Sequence, residues 1–339
     1  MKVAVYYNNR DIRIEERPVP RIGPGEMLVR VKASGICGSD VMEWYRIGKA
    51  PLVLGHEIAG TVEETGEGVA GFSPGDRVFV SHHVPCNRCR YCEAGQHSLC
   101  ETLRTTNFDP GGFAEYIRVP RINVTNGTFK LPGSMSFDEG AFIEPLACVL
   151  RGVRTARFRP GGSALVLGCG ISGLLFVKVL RALGASRIAA TDIVEGRLEA
   201  ARRFGADAAY RAGDAEPGPL KEDNDGLLYD LVVVCAGAPS VFEQAFSLAG
   251  RGGTVLLFAP PEPGLELRLP LFRIWRDQIA ILSTYAGCPE DIREAIDMIA
   301  SKRVAVEDMI THRFPLEETA EGFRLVSEGI DSIKVIITP

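Results

Sequence analysis

Residues 163–173 read Ser-Ala-Leu-Val-Leu-Gly-Cys-Gly-Ile-Ser-Gly, a short apolar run that ends in G-x-G-x-x-G at Gly168, Gly170 and Gly173 and passes straight into a helix-like stretch. Strand, glycine turn and helix in that order are the context that gives this spacing chemical meaning. The first glycine permits a tight turn, the second lets backbone approach a pyrophosphate, and the third lets helix and strand pack closely. The helix that opens at Ile171 and Ser172 offers unbonded N–H groups to phosphate oxygens. Asp192 ends the next apolar run, 19 residues beyond Gly173. A carboxylate there accepts hydrogen bonds from both ribose hydroxyls of NAD and repels the extra phosphate of NADP, so the pattern predicts NAD binding. The alternative is a glycine-rich turn followed by an Asp that caps a helix. Arg197 either touches the adenosine ribose or is a solvated helix residue.

Outward from this motif the rhythm continues. RIAATD, DLVVVCAG and GTVLLFAP read as strands, and the segments through Lys178–Leu183, Arg197–Phe204 and Phe242–Leu248 read as helices. Alternating strand and helix predicts a parallel, doubly wound sheet. Residues 212–226, rich in acidic residues, Gly and Pro, read as a surface connection. From Met1 to about Val119 the pattern is different. VAVYY, MLVRVKAS, IAGTVEET, DRVFVSHH and FAEYIRV are separated by turn signals such as Ser73-Pro74-Gly75-Asp76 and Asp109-Pro110-Gly111-Gly112, which predicts a β-rich half. The tail gives a helix at DIREAIDMIAS, a strand at ITHRF, another helix and a closing strand at SIKVIIT. It is expected to return to the first half.

A chain of 339 residues predicts two domains. With 46% hydrophobic and 24% charged residues it falls among soluble globular proteins. A net charge of −5 and the lack of any Lys/Arg block argue against nucleic-acid or anionic-membrane partners and leave a small molecule. The N-terminal stretch reads as a strand, not a signal peptide, so a cytoplasmic location is expected.

Four of the nine cysteines, Cys86, Cys89, Cys92 and Cys100, form C-x2-C-x2-C-x7-C, a spacing that closes four thiolates around one tetrahedral zinc with no position left for substrate. Iron–sulfur proteins with a similar start place the fourth cysteine after three residues and before Pro, whereas Glu101 follows here. Disulfides are the remaining alternative. Elsewhere stand Cys37 in GICGSD, His56-Glu57 in GHEIAG and Glu144 in FIEPLAC. One sulfur, one imidazole and two carboxylates suit an open zinc site. From the residues alone, a buried Cys, a core His and a surface Glu are the commoner explanations.

GHEIAGTVEETGEGV from Gly55 to Val69, GICGSD, the four-cysteine lobe, GGFAEY at Gly111–Tyr116, EPLAC and GCGISG occur in one order along nearly the whole chain. In these motifs the sequence resembles the zinc-dependent medium-chain alcohol and polyol dehydrogenases of the sorbitol and threonine dehydrogenase type. The resemblance implies an α/β plus β fold. Residues 1–146 and 285–339 would form a GroES-like catalytic domain with a structural zinc lobe at about 85–101, and residues 147–284 an inserted Rossmann domain with a doubly wound parallel sheet that binds NAD. The active site is expected in the cleft between them. Carried over position by position, Cys37 and His56 become zinc ligands, Glu144 the third-ligand position, and Glu57 a carboxylate beside the metal that binds it directly or exchanges with water. Ser39 takes the place of the hydroxyl that receives the substrate proton, and Asp40 that of the carboxylate that orients the imidazole. Met42 departs from the pattern, because many relatives carry a relay histidine there. His82 or His83 could substitute, against the alternative of a packed strand-end pair. Thr284 stands where polyol dehydrogenases often carry Arg before the tyrosine, here Tyr285. Trp44, Thr106 and Asn107 are candidates to face substrate.

The expected activity is NAD-dependent transfer of a hydride from a secondary hydroxyl of a polyol, cyclitol or sugar derivative, giving the ketone, with one catalytic and one structural zinc per chain. The alternative within the class is a threonine-type 3-hydroxy amino-acid dehydrogenase, for which Arg104, Arg118 or Arg151 would anchor the carboxylate. The alternative outside it is a zinc- and NAD-binding redox sensor without turnover. Similar proteins form homodimers or homotetramers, and the same is expected here.

Overall fold

A computed structural model of the protein describes residues 1–214 and 217–339. In it Ser163–Leu167 is a strand buried along its whole length, Gly168 turns the chain at φ +100°, and helix Ile171–Ala182 follows at once. This strand lies inside a six-stranded sheet, in the order Ala208–Arg211, Arg187–Asp192, Ser163–Leu167, Tyr229–Val234, Ala249–Leu257 and Ala280–Ser283. All neighbours are parallel. Strands buried on both faces need near-continuous apolar sequence, which is why LVVV and ALVL run without alternation. The chain winds outward on one side of Ser163–Leu167 and then crosses to its other side, making a topological switch point beside the glycine turn. Leu165, Leu167, Val232, Phe242 and Phe246 fill this core. The described residues of 212–226 are mostly exposed and connect strands Ala208–Arg211 and Tyr229–Val234. They include helix Pro217–Glu222, whose Leu220 is fully buried and accepts a hydrogen bond from Tyr229 Oη at 3.1 Å. Residues 215 and 216 of that stretch lie outside the described residues.

These strands belong to a compact unit, Cys148–Tyr285, and the other unit combines Met1–Ala147 with Ala286–Pro339. The second unit is built on a seven-stranded sheet whose main path runs Ile310–Pro315, Lys334–Thr338, Met27–Gly35, Glu57–Thr65, Arg77–Val80 and Thr128–Lys130, with Tyr116–Val119 also paired to Met27–Gly35. The tail strand Lys334–Thr338 is antiparallel to Met27–Gly35, with Ile336 opposite Gly35. A smaller sheet joins Asp11–Glu16, Lys2–Asn8 and Leu52–Val53. The run DRVFVSHH stops being a strand after Val80. Ser81 Oγ donates to the carbonyl of His83, and the buried Asn123 amide donates to the carbonyls of Ser81 and His82, so local bonds replace the ladder. No helix among the described residues is long and apolar enough to cross a membrane.

Candidate active site and cofactor sites

Strands Met27–Gly35 and Glu57–Thr65 pair antiparallel with Gly35 opposite Glu57, so the residues just beyond their paired ends, Cys37 and His56, converge. Ligand atoms of Cys37, His56 and Glu57 all lie within 4.8 Å of one another. Sulfur, imidazole nitrogen and carboxylate oxygen form a donor set suited to zinc. Asp40 is fully buried behind them: its Oδ2 accepts the Cys37 N–H at 3.0 Å, and its Oδ1 lies 3.3 Å from His56 Nδ1. That contact is the carboxylate–imidazole support typical of metal-binding histidines. The Ser39 N–H points at Cys37 Sγ, 3.4 Å away.

The electrostatics favour a cation at this point. Burial pushes the His56 imidazole down, yet Asp40 and Cys37 carry it well above the usual histidine range. Burial likewise pushes Asp40 up, but His56, Arg46 and the Cys37 N–H hold it below the usual carboxylate range. His82 packs against His56 with ring centroids 4.8 Å apart and planes tilted, and the His83 ring centroid lies 3.8 Å from that of His82. Burial, reinforced by neighbouring positive charge, lowers His82 well below its ordinary value and His83 to about 4, so both rings are neutral at pH 7.

Two residues absent from the sequence reading complete the site. Lys334, on the tail strand, is fully buried and bonds the equally buried carboxylate of Glu57, and its Nζ also donates to the Ile36 carbonyl at 3.2 Å. The signal was available, since a lone Lys in the apolar run SIKVIIT requires a partner. Arg46 donates from Nε to the Ser39 carbonyl at 2.9 Å and from Nη2 to Ser39 Oγ at 3.1 Å. No motif spacing marks it. Glu144 opens helix Ile143–Thr155 and is not in the group gathered around Cys37 and His56. Glu57 Oε1 is sealed from solvent without a hydrogen-bond partner among the described residues, so a buried acceptor waits beside the two other donors. Thr106 is occupied by backbone: its Oγ1 accepts from Val84 N–H at 2.8 Å. Asn107 Oδ1 accepts the next residue's N–H, and Trp44 packs against Tyr45.

Cys86, Cys89, Cys92 and Cys100 form a second group of converging donors. The Cys89–Cys92 and Cys86–Cys100 sulfurs lie 3.5 and 3.6 Å apart, too far for a disulfide. Four sulfurs about 2.3 Å from a tetrahedral zinc are separated by about 3.8 Å, which matches. Within the cluster, burial raises the Cys100 thiol but N–H groups of Cys86 and Leu103 lower it on balance, while burial and the neighbouring thiols push Cys92 up, so the four sulfurs share their charge unevenly without a metal.

At the glycine turn, helix Ile171–Ala182 has no side-chain cap, which leaves its first N–H groups available to phosphate. A side chain on Gly173 would run into the backbone of Gly168. Asp192 ends its strand with Oδ2 accepting Cys169 N–H at 2.7 Å and Oδ1 accepting Val194 N–H at 2.9 Å. Each oxygen keeps a lone pair for a ribose hydroxyl. Arg197 Nη1 lies 4.0 Å from Asp192, and Ile193, 71% exposed, offers an apolar surface beside it.

Residues 23–132 match the alcohol dehydrogenase GroES-like domain, and residues 172–301 match the zinc-binding dehydrogenase domain. The chain is 34% identical to mouse (Mus musculus) sorbitol dehydrogenase, covering 98% of this chain and 94% of that protein. It is 34% identical to a probable D-xylulose reductase A of Aspergillus clavatus, covering 96% and 93%. The crystal structure of a presumed zinc-binding dehydrogenase of Sinorhizobium meliloti, bound to NADP, superposes with a TM-score of 0.88 at 32% identity over 100% of this chain and 99% of that one.

Proposed function

Because the chain belongs to the zinc-dependent medium-chain alcohol and polyol dehydrogenases, we propose that it oxidises a secondary hydroxyl of a polyol, cyclitol or sugar derivative to the ketone, with NAD preferred over NADP. The observation that carries this reading is the convergence of Cys37, His56 and Glu57 with Ser39 on the same turn.

Cys37 and His56 would hold the catalytic metal with one of the carboxylates Glu57 and Glu144, and the four-cysteine lobe would hold the structural one. When bound, zinc supplies the Lewis acidity that brings a hydroxyl toward ionisation near neutral pH, and NAD supplies the hydride acceptor. Asp40 keeps His56 Nδ1 protonated, so Nε2 is the donor atom. Ser39 Oγ receives the proton of the substrate hydroxyl and releases its own to water. Met42 has no acceptor to extend that path. Asp192, with both oxygens oriented by backbone N–H groups, supports the preference for an unphosphorylated ribose.

The threonine-type reading is weakened at Arg118, whose guanidinium already pairs with Glu26 at 3.0 Å and Asp109 at 3.6 Å. NADH formation across polyols, cyclitols and hydroxy amino acids separates the two readings. Cys37→Ala is expected to lose one of two zinc ions and all turnover while the thermal midpoint stays near the wild-type value, and turnover that survives overturns the proposal.

A further inference from the structure

We propose that Arg46 is a positioning residue for the reaction: its guanidinium fixes the Ser39 hydroxyl and braces Asp40 at the same time, in a site where position 42 carries no proton acceptor. The inference rests on the reading of Ser39 as the group that receives the substrate proton.

The geometry is a fork closed on one residue. Nε binds the Ser39 carbonyl at 2.9 Å and Nη2 binds its hydroxyl oxygen at 3.1 Å, so the Ser39 rotamer is tied to its own peptide. Nη2 also stands 3.5 Å from Asp40 Oδ1, the oxygen that faces His56 Nδ1 at 3.3 Å. Asp40 Oδ1 is therefore flanked by an imidazole and a guanidinium at ion-pair distance, without a hydrogen bond to either. Arg46 is itself largely enclosed, with 14% of its side chain exposed and the guanidinium 4.7 Å from the Tyr45 ring centroid. A planar, partly desolvated fork loses little freedom in making these bonds, and a lysine could not reproduce them.

The chemistry follows from donor and acceptor counts. A guanidinium has only donors and does not give up its proton in a protein. A serine hydroxyl has two lone pairs and one proton. Arg46 occupies one lone pair, which leaves the other to accept the substrate proton and leaves the O–H to be passed to water. Arg46 thus takes no part in carrying the proton. It fixes which lone pair is open, and its charge favours the moment at which Ser39 has lost a proton. A freely rotating hydroxyl would spend much of its time with the wrong lone pair presented.

The test is Arg46→Ala, examined first without substrate. Its crystal structure is expected to show the Ser39 hydroxyl spread over more than one rotamer with Cys37, Asp40 and His56 in place, and a single unchanged rotamer overturns the proposal. In turnover, kcat is expected to fall roughly 10- to 100-fold, part of what positioned proton transfer contributes. KM for NAD should be unchanged, and zinc content should match the wild type. Guanidinium ion added to Arg46→Ala should recover about tenfold, and Arg46→Lys should fall between the two proteins. A loss that follows zinc content, or that guanidinium does not relieve, assigns Arg46 a purely structural role. If the wild type oxidises no polyol at all, the proposed function falls, and the Ser39 rotamer still decides the part played by Arg46.

Discussion

Replacing Lys334 by Met tests the buried ion pair in isolation. Glu57 and Lys334 are both 0% exposed, so Lys334→Met strands a carboxylate that has no solvent and already lacks a partner at Oε1. Removing one member of such a pair costs about 3–5 kcal/mol, mostly the penalty of the uncompensated charge. For a unit of about 200 residues each kcal/mol shifts the thermal midpoint about 2–4 °C, so a fall of roughly 6–20 °C is expected. The double variant Glu57→Gln/Lys334→Met removes the charge as well and should recover at least half of that loss, giving a large coupling energy in the cycle. The assay is thermal unfolding by calorimetry of proteins freed of metal at Cys37, His56 and Glu57, with metal content measured alongside, because an ion bound there would itself neutralise Glu57. A midpoint within about 2 °C of wild type for the single variant, or a double variant no more stable than the single, would refute the reasoning. Gly35 belongs to the same arrangement, because a Cβ there would enter the space taken by the Glu57 carboxylate and the Lys334 ammonium.

Asp192→Ala removes a charged acceptor from the ribose site and strips Cys169 and Val194 N–H of their partner. KM for NAD should rise roughly 10- to 150-fold, as for loss of a charge-assisted hydrogen bond, and the NAD:NADP preference should narrow. An unchanged ratio in steady-state kinetics rejects the ribose assignment. Glu139 caps helix Phe137–Ala141 through Ser136 and pairs with Lys302. Burial raises its carboxyl, but Lys302 and the Ser136 donors lower it on balance. A carboxylate whose folded pKa is depressed stabilises the fold above its unfolded pKa and ceases to do so as pH falls through the folded value. Wild type should therefore exceed Glu139→Gln by about 1 kcal/mol at pH 7, with the gap closing as the pH falls below the ordinary glutamate range. A gap independent of pH would exclude the linkage.

What could be read in advance was what is local in sequence. Gly168, Gly170 and Gly173 sit within six residues, and Cys86 to Cys100 within fifteen, so spacing alone predicts a turn at the first and a closed metal lobe at the second. Cys37 and His56 were legible only as family motifs, because their meeting depends on the Gly35–Glu57 register of two strands. Lys334 lies 277 residues from Glu57, and no periodicity links them. Arg46 was missed for a different reason: it is close to Ser39 in sequence, but an arginine ending a one-turn helix, Glu43–Arg46, is ordinarily solvated. The stretch DRVFVSHH misled at its end because side-chain bonds from Ser81 and Asn123 outcompete strand pairing.

The pairing of Lys334–Thr338 with Met27–Gly35 has a consequence for biosynthesis. While the ribosome is still translating the Cys148–Tyr285 unit, Cys37, His56 and Glu57 have already emerged, but the ammonium that neutralises Glu57 has not been made. A nascent chain in that interval carries the Glu57 carboxylate without the ammonium that pairs with it in the finished fold, so this corner of the sheet closes only once the last strand has been made.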